Sequence, residues 1–104
     1  MANAATMRVI FVQSTDVGAY LKALEDGKVL LKQKGSAAQL HVWFARYAGS
    51  DAGSVMVTVE YPSLDALAKD DGLMRSDPEL RAWLERVSKL RKIVSDSIYE
   101  EMKP

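Results

Sequence analysis

The chain has 104 residues, 48% hydrophobic and 27% charged, with fourteen basic side chains against fourteen acidic ones, one His and no Cys. A domain of this mass supports one core, hiding about 65% of its unfolded surface. The missing cysteines exclude disulfides, thiolate metal sites and thiol nucleophiles, the single histidine excludes a multi-histidine metal centre, and the balanced charge leaves no global field to draw the chain to nucleic acid or an anionic membrane.

Residues 1–6 carry neither a basic leader nor an apolar stretch, so they read as a frayed tail before a single domain spanning 7–104. No uninterrupted apolar run approaches the roughly 18 residues of a membrane span, and the cytoplasm is the expected compartment. Met7–Gln13 is dense in β-branched and aromatic residues and apolar on both alternating faces, Val9 and Phe11 on one, Ile10 and Val12 on the other. Such a strand is covered on both faces. Ser14, Thr15 or Asp16 can cap the helix that follows. Val17, Tyr20, Leu21, Leu24 and Leu31 recur on that helix at helical spacing, with Gly27 on the same stripe and Lys34-Gly35 as its stop.

Residues 39–47 form a second strand, and Gly49, Ser50, Asp51 and Gly53 supply the chemistry of a turn into a third, Val55–Tyr61, ended by Pro62. A second helical region runs from Ser63 to about Leu90 and is expected to break near Gly72. Its main body starts at Ser76-Asp77-Pro78-Glu79 and presents Leu80, Trp83, Leu84, Val87 and Leu90 on one face. The last strand runs from Lys92 to Tyr99, polar in its middle at Ser95, Asp96 and Ser97.

The order β-α-β-β-α-β predicts an α+β, ferredoxin-like fold: a four-stranded antiparallel sheet with two helices on one face. Whichever face the helices leave open is apolar on the first strand, and across strands two and three both faces are again largely apolar, apart from His41, Arg46, Thr58 and Glu60. A patch of that size calls for a partner, and a second copy of the chain is the economical one, sheet against sheet. Lys34-Gly35, His41-Val42-Trp43, Val59-Glu60-Tyr61-Pro62-Ser63-Leu64-Asp65-Ala66-Leu67 and Ser76-Asp77-Pro78-Glu79-Leu80 resemble the antibiotic-biosynthesis-monooxygenase and NIPSNAP-like members of the dimeric α/β-barrel superfamily. That resemblance implies a homodimer whose two sheets close into one barrel. The superfamily holds cofactor-free quinol monooxygenases, haem-degrading enzymes, isomerases and cyclases, so the fold alone does not select a chemistry.

His41 is the one side chain that titrates near neutrality, and Glu60 becomes a competent base if buried; these are the catalytic candidates. Gln13, Trp43, Tyr47, Thr58, Tyr61 and Met74 are the candidate contacts for a small apolar or aromatic ligand held between sheet and helices. Each also has a plain structural reading, as an edge histidine, a solvated strand end or cross-strand packing. Haem degradation does not fit, because neither helix carries a His and the only Asn is Asn3. No cofactor and no metal is expected. The expected function is that of a ligand-binding dimer; the alternative is a cofactor-independent monooxygenase or isomerase acting on a quinol or polyketide-like substrate.

Overall fold

The computed structural model describes residues 5–46 and 54–104, and its elements follow the expected order with the second helical region divided. Strands β1 (Thr6–Gln13), β2 (Gln39–Phe44), β3 (Val55–Tyr61) and β4 (Lys92–Glu100) form one antiparallel sheet in the order β2-β3-β1-β4. Helices α1 (Val17–Gln33), α2 (Leu64–Ser76) and α3 (Pro78–Ser88) pack on one face of it. The molecule measures 42 × 40 × 17 Å, a slab of one sheet and one helical layer.

β1 lies between β3 and β4, with Ile10 and Val12 turned into the core under the helices and Val9 and Phe11 on the other face. It begins at Thr6, within the segment expected to be frayed: Thr6 is buried opposite Tyr61 and Glu100, and Ala5 accepts a backbone hydrogen bond from Glu101. β2 ends at Phe44, before Ala45 and Arg46 of the expected strand, and of the turn expected from Tyr47 through Ser54 all but Ser54 lies outside the described residues. β4 is an edge strand. A bulge at Val94 shifts its register against β1, and every residue of β4 is exposed. Its polar centre therefore protects an edge.

α1 is capped by Asp16, whose side chain accepts from the Ala19 amide, and it turns Tyr20, Ala23, Leu24, Gly27 and Leu31 inward. Val17 and Leu21, expected on that stripe, are instead exposed, since the buried face is rotated to centre on Ala23 and Gly27. The reason is Trp83 of α3: a Cβ at Gly27 would stand 2.1 Å from the indole, whose Nε1–H donates to the Ala23 carbonyl at 2.7 Å. Close approach needs glycine here. α1 stops in a Schellman motif, the Ser36 amide bonding back to the Leu31 carbonyl and Gly35 to Lys32, with Gly35 at φ +79°.

The break in the second helical region falls at Asp77, not at Gly72, which sits inside α2 with open space around it. Pro78 decides this, because the residue before proline is pushed out of the helical region, and Asp77 is extended at ψ 120°. Asp77 then caps α3 through the Glu79 and Leu80 amides. Lys34 bridges to Asp77 and Glu79, tying the end of α1 to the start of α3.

Candidate functional site

Residues directly opposite in a sheet share a face, so the register sorts the candidates. One face carries three rows across the strands: Gln39, Glu60, Met7 and Tyr99; His41, Thr58, Val9 and Ser97; Trp43, Met56, Phe11 and Ser95. Among the described residues no helix covers this face. Trp43 is 52% exposed there, its Nε1–H donating 2.9 Å to the Thr58 hydroxyl, and the His41 ring stands 6.2 Å from the Trp43 ring. His41, Trp43, Thr58 and Glu60 are thus brought together, on the open face.

The covered face holds a half-open cavity of about 380 Å³ between the sheet and the three helices. Its deep wall is apolar, with Ile10, Leu24, Val57 and Trp83, and its rim is charged, with Arg8, Asp71, Arg75 and Arg91. Met74 and Tyr61 also line it. Arg8 is a cation in the middle of an apolar strand, and Asp96 on the neighbouring strand answers it. The guanidinium donates to both carboxylate oxygens, at 2.9 and 2.6 Å, with Asp71 at 3.7 Å. The hydrogen bonds from Arg8 hold the Asp96 carboxyl below its usual range, against the opposing effect of partial burial.

Tyr61 stands where the two faces meet, because it lines both this cavity and a cleft of about 580 Å³ at the end of the open face, beside Met7, Gln39, Glu60 and Tyr99. Burial pushes its phenol well above the ordinary tyrosine range, and the carboxylate of Asp70 raises it further. Asp70 is buried on α2 and accepts a hydrogen bond from the Ser36 hydroxyl, which itself accepts from the Ala38 amide. Tyr61 is accordingly held as the neutral phenol, able to donate a hydrogen bond.

The expected site set is therefore divided. Tyr61 and Met74 line the cavity between sheet and helices, while His41 and Glu60, the expected proton-moving groups, stand on the opposite side of the sheet with Trp43 and Thr58. Gln13 is exposed at the end of β1, and Tyr47 lies outside the described residues. The ion pair of Arg8 with Asp96 and the buried Asp70 were not anticipated. One signal for the pair was present in the sequence: a lone charge at position 8 within the apolar run of a central strand demands a partner, and Asp96 is an acidic residue in the middle of the last strand. Among the described residues no group of three or more His, Cys, Asp or Glu side chains is placed to hold a metal ion, and no helix is long and apolar enough to cross a membrane.

No family model matches this sequence, and no curated protein matches it. Among solved structures, a NIPSNAP family protein from Agrobacterium tumefaciens superposes with a TM-score of 0.72, covering 100% of this chain and 89% of its own at 18% identity. A conserved protein of unknown function from Bacteroides thetaiotaomicron, described as a possible oxidoreductase, superposes with a TM-score of 0.61 over 96% of this chain and 100% of its own, at 14% identity. At these identities the likeness is one of fold, a small ferredoxin-like α+β domain.

Proposed function

We propose that this chain acts as a homodimer, its two sheets meeting face to face, and that each copy holds a small, largely apolar ligand between its sheet and its helices. The observation that carries the ligand reading is the cavity of about 380 Å³, within the range of about 300–1,000 Å³ found for small-molecule sites, with apolar depth and a few convergent polar groups. Tyr61 and Met74 are its expected contacts.

The open face supports the dimer, because Met7, Phe11 and Met56 on its central strands are only half-buried and Trp43 at its edge is exposed. Native mass spectrometry tests both claims. Twice the chain mass carrying a small adduct that leaves on denaturation is the expected result; a monomer at micromolar concentration overturns the dimer.

A second reading, cofactor-independent monooxygenation or isomerisation of a quinol or polyketide-like substrate, is favoured by one observation: Glu60 and Tyr61 share the cleft at the end of the open face. In that reading Glu60 or His41 moves the proton and the substrate sits on the open face. Alanine at both positions should abolish turnover, and unchanged rates would remove the reading.

A further inference from the structure

The rim of the cavity is charged asymmetrically, and its charges are not equivalent. Resting on the reading of that cavity as the ligand site, we propose that its ligand is an amphiphilic anion, an apolar body bearing one carboxylate that Arg91 receives. Four charged side chains line the cavity: Arg8, Asp71, Arg75 and Arg91. Arg8 is fully engaged, bidentate on Asp96 and 3.7 Å from Asp71, so its single charge is committed to two acids and none is left for a ligand.

Arg91 is different. It is half-buried, and its guanidinium donates to the Tyr20 hydroxyl at 3.2 Å, a neutral oxygen on a fully buried residue. Asp96, whose charge Arg91 feels, has both oxygens held by Arg8. Among the described residues no carboxylate lies within 4.0 Å of Arg91 or of Arg75. A guanidinium carries five donors in a planar fork that matches a carboxylate in two parallel bonds. Tyr20 holds one end of that fork in place and leaves the rest of it without an anionic partner. The chain as a whole is neutral, so this positive rim is a local property of the cavity mouth.

The arrangement fixes an orientation. Apolar carbon is favoured against Ile10, Leu24, Val57 and Trp83, and the carboxylate belongs at Arg91, with Arg75 adding attraction from the exposed side. An uncharged analogue fills the same depth but leaves Arg91 without an anion.

Calorimetric titration of the full chain with 4-phenylbutanoate and with its amide, 4-phenylbutanamide, tests this. The carboxylate is expected to bind at least tenfold more tightly than the amide at low ionic strength. Arg91→Gln should bring the two to the same affinity while leaving the amide unchanged, and Met74→Trp, which fills the cavity, should weaken both. Should Arg91→Gln fail to fold, added salt on the unaltered chain gives the same discrimination, weakening the carboxylate and sparing the amide. Equal affinities for the two probes overturn the anion proposal and leave the cavity reading standing; carboxylate binding that Met74→Trp does not weaken lies outside the cavity and overturns the proposal as well. Binding of neither probe overturns both.

Discussion

At Gly27 one hydrogen atom stands where any other residue would put a carbon into the Trp83 indole. Alanine there gains about 1 kcal/mol of helix propensity but forces α1 away from α3. Overpacking of that kind costs about 1–3 kcal/mol, so the net effect of Gly27→Ala on a urea unfolding midpoint is expected to be a loss. Position 27 was legible as a close approach because glycine fell on an apolar stripe; that Trp83 fills the gap was not, since the contact spans more than fifty residues of chain. Arg8 and Asp96 set a second expectation. The charged form of Asp96 is favoured in the folded state, so its contribution is complete above the ordinary aspartate range and is lost as pH falls through the depressed pKa, below about pH 4. Asp96→Asn should lower stability at pH 7 and flatten the acid limb of a stability profile measured from pH 2 to 6. An acid limb unchanged by the substitution would remove the pair as its cause.

At the scale of elements, two glycines in open space should answer alanine with opposite signs. Gly35 ends α1 at φ +79° with nothing near its missing side chain, so Gly35→Ala meets only the left-handed backbone penalty, about 1–2 kcal/mol of destabilisation. Gly72 lies within α2, equally unobstructed, and Gly72→Ala should stabilise by about 1 kcal/mol. Thermal unfolding of the two variants beside the parent reads both signs. The contrast also shows what local sequence can say. Lys34-Gly35 was readable as a stop because the helical stripe ended there, whereas Gly72 looked like a break only because glycine is a poor helix former. The stronger breaker was Pro78, acting one residue upstream at Asp77. Propensity differences of about 1 kcal/mol yield to a steric clash of about 3.

For the whole molecule the sheet's two faces decide function, and the strand periodicity made both visible as apolar without telling which one the helices cover. That choice depends on how far α2 and α3 reach across β3 and β1, a tertiary matter, and it is why one expected site became two regions, Tyr61 with Met74 on one side and His41 with Trp43, Thr58 and Glu60 on the other. Trp43→Glu places a charge on the edge strand of the proposed contact, on a side chain already half exposed. It should yield a folded chain, by circular dichroism, with half the parent's mass in light scattering; a persistent dimer would move the contact to another surface. The strand order carries one more consequence, for the chain's synthesis. Arg8 on β1 and Asp96 on β4 are 88 positions apart, yet β4 is the only neighbour on that side of β1. A growing chain can pair β1 with β3 as soon as β3 emerges, but the other side of β1 then remains an open edge until nearly all the remainder has been made. Over that interval an apolar strand is available to any other nascent copy, and the charge of Arg8 is the kind of edge residue that disfavours such pairing.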